Sequence, residues 1–103
     1  MTELRAKLHD HPVYGKVHVF DEVDAISRHV LSNQIWEDYL CDWLASYYKP
    51  DTDVLDIGAN LGFNSLRMQQ IKPISEGCVY HLFEPQHDVF TLLQCHQNIM
   101  WDN

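Results

Sequence analysis

The chain has 103 residues, 46% of them hydrophobic, and fifteen acidic against seven basic residues give it a formal net charge of −8. That length holds one domain, and the composition is that of a soluble globular chain. The acidity excludes nonspecific attachment to nucleic acid or to an anionic membrane surface, because both would repel it, and it reads as a solubility device.

Residues 1–12 mix charged and small apolar side chains without a period, which predicts a short helix or a frayed arm. They are too polar for a signal peptide, and no apolar run in the chain is long enough to cross a bilayer. His9, Asp10 and His11 lack the spacing of a closed metal site and read as a polar loop, so no metal is assigned. Residues 13–20 alternate, with Val13, Gly15, Val17 and Val19 on one side, predicting a strand or small hairpin that bends at Gly15.

Val23, Ile26 and Val30 recur at helical spacing, so residues 21–31 form a short amphipathic helix with Arg28 on its solvated face. Ser32 or Asn33 can cap the next helix. In it Ile35, Trp36, Tyr39, Leu40, Trp43, Leu44 and Tyr47 repeat at three and four residues, which predicts burial along most of its length. Lys49 and Pro50 stop it, since the residue before a proline disfavours helical geometry.

The most informative stretch follows. Residues 53–57 read as a strand buried on both faces of a parallel sheet, ending at Gly58. Gly58, Ala59, Asn60, Leu61 and Gly62 form a tight turn into a helix over residues 63–71, which stops at Lys72 and Pro73. A strand, a glycine turn and a helix start predict backbone N–H groups directed into a crevice, with room for a ligand over Gly58 and Gly62. The next strand, residues 79–83, is predicted to lie parallel to the first and ends in Glu84. His81 sits in mid-strand and reads as a hydrogen-bonded sheet-face histidine. Pro85 suits a first helical position, and the last helix buries Val89, Phe90, Leu92, Leu93 and Ile99.

The turn departs from the dinucleotide fingerprint, with Asn60 at its third position and no glycine at its sixth, and Asn60 can keep the bend because asparagine tolerates a left-handed backbone. Asp56, before the turn, would repel a pyrophosphate but suits an ammonium or sulfonium group. Glu84 can accept hydrogen bonds from both ribose hydroxyls, although it can also cap the following helix. An acid, a glycine turn, a helix, a strand and a second acid fit S-adenosyl-L-methionine better than a nicotinamide cofactor.

Asp56-Ile57-Gly58-Ala59-Asn60-Leu61-Gly62-Phe63, with Val79-Tyr80-His81-Leu82-Phe83-Glu84-Pro85, resembles the first two cofactor motifs of FkbM-type S-adenosylmethionine-dependent methyltransferases. Ile26-Ser27-Arg28 and Trp36-Glu37 are similar to that family's lead-in, so the resemblance spans roughly residues 21–103. It implies a partial Rossmann-like, class I methyltransferase α/β fold: a parallel β-α-β-α unit over residues 53–103, preceded by N-terminal helices and a short strand or hairpin over residues 1–52. The later part of the family's sheet, with its third strand and its further acidic motifs, is absent from the sequence, which makes residues 1–103 a single incomplete domain. By the same resemblance Asp56, Gly58 and Gly62, with Ala59 and Asn60 between them, hold the methionine end of the cofactor, and Glu84 holds the ribose. Arg28 would then lie near the substrate or the cofactor carboxylate. The implied reaction is O-methylation of a sugar or other small-metabolite hydroxyl, with no residue assignable as catalytic base.

Two other readings remain open. One is a noncatalytic methyltransferase-like module that offers an open strand edge to a second copy or a complementing chain. The other is a nicotinamide-dependent Rossmann-like enzyme. Three cysteines, Cys41, Cys78 and Cys95, are odd in number and suit reduced thiols, so the expected compartment is the cytoplasm.

Overall fold

The computed structural model describes residues 5–21 and 24–100, with side chains described as far as His96. Residues 1–4, Val23 in the first predicted helix and the side chain of Ile99 lie outside that description.

The chain opens with an antiparallel hairpin, β1 (Ala6–His11) and β2 (Gly15–Phe20), in place of the helix or frayed arm expected before residue 12. The hairpin turns ahead of Gly15, which takes φ 84° at the start of β2. Pairing with β2 decides the conformation of β1, whose own side chains are mostly exposed. The expected alternation holds over residues 17–19 of β2, where Val17 and Val19 are fully buried around a half-buried His18, and lapses at Phe20, which is buried as well.

Helix α1 (Ala25–Leu31) starts at Asp24, whose carboxylate accepts the Ser27 N–H at 3.0 Å. Helix α2 (Asp38–Tyr47) starts later than expected. Its N-cap is Glu37 in a left-handed conformation, and Ser32 and Asn33 instead close α1.

The expected burial of α2 is also corrected. Tyr39, at 77% exposure, Trp43 and Tyr47 form an outward stripe, while the small residues Cys41 and Ala45 face inward. Those small side chains allow α2 close to α3 (Phe63–Ile71), and the Arg67–Asp38 ion pair at 2.9 Å joins the two helices.

Between α2 and α3 runs β3 (Val54–Ile57), paired in parallel with β4 (Tyr80–Phe83). The two-stranded sheet is covered on one face. Val54 and Asp56 face the helices, whereas Leu55 and Ile57 are 65% and 81% exposed, so β3 is not buried on both sides. Helix α4 (His87–Met100) starts two residues after Pro85 and buries Val89, Leu92 and Leu93.

The main core joins β2, α1, the glycine turn, the start of α3 and α4 through Val17, Val19, Phe20, Val30, Leu61, Phe63 and Leu92. It therefore forms behind the turn, leaving the strand tips at the surface. The result is an α/β arrangement of four helices and two small sheets, one of them a parallel pair, among the described residues. No helix among them is long and apolar enough to cross a membrane.

Candidate functional site

Strands β3 and β4 end side by side, with Ile57 opposite Phe83, and the chain leaves them through Gly58 and Glu84. Gly58 has φ 75°, Asn60 φ 55° and Gly62 φ 91°, so the turn depends on three left-handed residues. Glycine adopts that geometry freely and asparagine tolerates it.

Every N–H in the turn already has an acceptor within the chain. Gly58 and Ala59 donate to the Phe83 carbonyl at 2.8 and 2.9 Å, and Gly62 donates to the Ala59 carbonyl at 3.0 Å. Asn60 N–H donates to Glu84 Oε1 at 2.8 Å, and Leu61 N–H to Asn60 Oδ1 at 2.9 Å. The expectation of N–H groups directed into the crevice is corrected accordingly. Their consumption follows from the tightness of the turn, which folds the first three donors back on the end of β4 and the last two on the turn itself. A pyrophosphate would meet no free donor there.

Glu84 is the hinge of the site. Its second oxygen, Oε2, accepts the Gln86 N–H at 3.0 Å, so one carboxylate ties the turn to the start of α4. Ribose contact and helix capping, offered as alternatives, are thus geometrically compatible. Each oxygen has two lone-pair directions and uses one of them, leaving one per oxygen for an incoming hydroxyl.

The crevice around Glu84 has a volume of about 360 Å³ and is lined by Ile57, Gly58, Leu82, Phe83, Pro85 and Phe90. A Cβ built on Gly58 would meet nothing within 4 Å, so open space lies directly above that residue.

Asp56 lies on the other flank of β3. Its Oδ2 accepts the Ser65 hydroxyl at 2.6 Å, and the side chain lines a second cleft of about 360 Å³ with Tyr47, Tyr48, Asn64 and Met68. The structure therefore places Gly58 and Glu84 at one crevice and Asp56 in the second cleft; Ala59 is buried and lines neither, and Asn60 joins the site only through its N–H bond to Glu84. Gly62 stands behind them as the N-cap of α3 and is buried.

Other singled-out residues have structural partners. His81 Nε2 lies 3.1 Å from Asp53 Oδ2, and that hydrogen bond holds the Asp53 carboxyl below its usual range. Arg28 is on the exposed side of α1. His11 is buried, with Nδ1 accepting the Val13 and Tyr14 N–H groups and Nε2 at 2.9 Å from the Gln34 carbonyl, while His9 bonds Asn33. Burial pushes the Cys41 thiol up to about 11, leaving it protonated and inert at neutral pH.

One residue that shapes the turn was not foreseen. His96 of α4 is fully buried and bonds both the Leu61 carbonyl and the His18 N–H. Its position three and four residues after Leu93 and Leu92 places it on the apolar face of α4, which was the available signal. Comparison of the chain with protein-family models, curated proteins and solved structures finds no significant match.

Proposed function

We propose that the chain carries the nucleoside-binding part of an S-adenosylmethionine-dependent methyltransferase of the FkbM type, acting on a small-metabolite hydroxyl in the cytoplasm. The observation that carries this reading is Glu84: a carboxylate anchored to the glycine turn, with a lone pair left on each oxygen, beside a crevice that opens over Gly58. That arrangement suits a vicinal diol. The internal use of all five turn N–H groups argues for a ligand without phosphate at this point, which weighs against a nicotinamide dinucleotide.

Asp56, on the neighbouring strand opposite Leu82, supplies a carboxylate for the ammonium of the methionine end. A nucleoside held at Glu84 would then extend across the tip of β3. When bound, the cofactor supplies an electrophilic methyl group on sulfur, and this chain's residues bind and orient it.

Isothermal titration with S-adenosylhomocysteine and with NADH tests the reading. Heat is expected from the first ligand and none from the second. Glu84→Ala should abolish that heat with the circular dichroism spectrum retained. Heat from NADH alone, or full binding by Glu84→Ala, would falsify the assignment.

A second reading rests on the exposed edge of β3. Val54 and Gly58 direct their N–H groups to β4, so the alternating Leu55 and Ile57 present theirs outward, beside exposed apolar side chains. Association through this edge predicts a dimer or a copurifying chain in light scattering. A monodisperse monomer at high concentration counts against it.

A further inference from the structure

We propose that His96 is the positioning residue of the glycine turn: its neutral ring, wedged between the His18 amide and the Leu61 carbonyl, holds residues 58–62 in their ligand-ready bend and releases them when it takes a second proton. Its importance for cofactor binding rests on the function proposed above. The coupling between ring and turn does not.

Two hydrogen bonds define the ring. The His18 N–H donates to His96 Nε2 at 2.7 Å, and His96 Nδ1 lies 2.7 Å from the Leu61 carbonyl oxygen. An amide N–H can only donate and a carbonyl can only accept, so Nε2 is bare and Nδ1 carries the hydrogen. Only the neutral Nδ1–H tautomer satisfies both partners.

The Leu61 carbonyl sits between Asn60 and Gly62, both left-handed. A hydrogen bond at that carbonyl sets the orientation of the peptide plane joining Leu61 to Gly62, and with it the shape of the bend. Glu84 and the Phe83 carbonyl hold the turn from the strand side. His96 holds it from the core side, where its ring packs 5.1 Å from Phe63, the first residue of α3.

A second proton would set Nε2–H against the His18 N–H, placing two donors in contact inside the core. Among the groups that face His96, Phe63 on α3 and Leu61 in the turn are uncharged. From β2 comes His18, whose ring lies 6.0 Å away and is the one titratable neighbour among these groups. Among the described residues no carboxylate acts on the ring to offset a second positive charge. Burial, the largest influence on His96, also favours the neutral form.

Nuclear magnetic resonance of the ¹⁵N-labelled chain from pH 8 to 5 tests the proposal. The expected result is an Nδ1–H ring at pH 8, with the amide signals of residues 58–62 moving at the same midpoint as the His96 ring while circular dichroism stays unchanged. An Nε2–H tautomer, turn amides that ignore the ring, or global unfolding at that midpoint overturns it.

Binding of S-adenosylhomocysteine provides the second arm. Affinity should fall about tenfold per pH unit below the ring's midpoint, as for one proton competing with a ligand, and this dependence should vanish in His96→Gln. Turn amides that follow the ring while affinity stays flat with pH overturn the ligand-ready claim. Absence of heat at every pH overturns the cofactor reading, and the resonance arm still decides the coupling.

Discussion

At the scale of single residues, the turn shows how few atoms separate a folded loop from a binding site. Gly58 takes a positive φ beneath open space, so Gly58→Ala adds backbone strain of about 1–2 kcal/mol and places a methyl group over the crevice. The expected outcome is loss of S-adenosylhomocysteine heat in titration calorimetry together with a lower urea midpoint. Unchanged binding would remove Gly58 from the site.

His96 and His11 act on stability in the same direction. Burial is the largest influence on each and pushes its ring below the ordinary histidine value. The folded chain therefore keeps both rings neutral where the unfolded chain protonates them. Stability should fall as pH drops through the unfolded value of about 6.5, by up to about 1.4 kcal/mol per pH unit for each ring until its own folded pKa is passed. Urea denaturation between pH 7.5 and 5.5 measures this slope, and His96→Gln should make it shallower. A pH-independent midpoint would contradict the neutral buried rings.

At the scale of elements, long-range pairing accounts for most departures from the sequence reading. The spacing of Tyr39, Trp43 and Tyr47 correctly puts them on one face of α2, but spacing cannot say which face meets the protein. Cys41 and Ala45 do, because their small side chains let the helix backbones approach.

The end of α2 is completed by a residue distant in sequence. Lys72, just after α3, donates through Nζ to the carbonyls of Ala45 and Tyr48, both at 3.0 Å, satisfying acceptors that the helix leaves open. Lys72→Met keeps the aliphatic stem and removes the donors. It should cost about 1–2 kcal/mol in chemical denaturation and fray the last turn of α2. No change in either would reduce Lys72 to a surface residue.

At the scale of the whole molecule, the main core lies behind the turn, while the parallel pair is covered on one face. Leu55, Ile57 and Phe83 consequently form an apolar surface next to unpaired backbone groups of β3. Ile57→Lys should reduce binding of an apolar fluorescent dye such as ANS and suppress any concentration-dependent association. It should shift stability by no more than about 0.5 kcal/mol, since the side chain is mostly in solvent. Undiminished dye emission would place the apolar surface elsewhere.

Local residue chemistry was enough to read the succession of elements around the site: a strand ending at Gly58, a left-handed Asn60, a helix from Phe63, and a second strand leading to Glu84. These depend on neighbouring residues, through glycine and asparagine backbone freedom and through short apolar runs bounded by turn residues. Packing of the folded chain was needed to make β1 a strand, to turn the aromatic residues of α2 outward, to consume the turn N–H groups internally and to bond Asp56 to Ser65 of α3. Each of these depends on which group packs or bonds against the element once the chain is folded, and periodicity carries no record of which group will supply a hydrogen bond or cover a face.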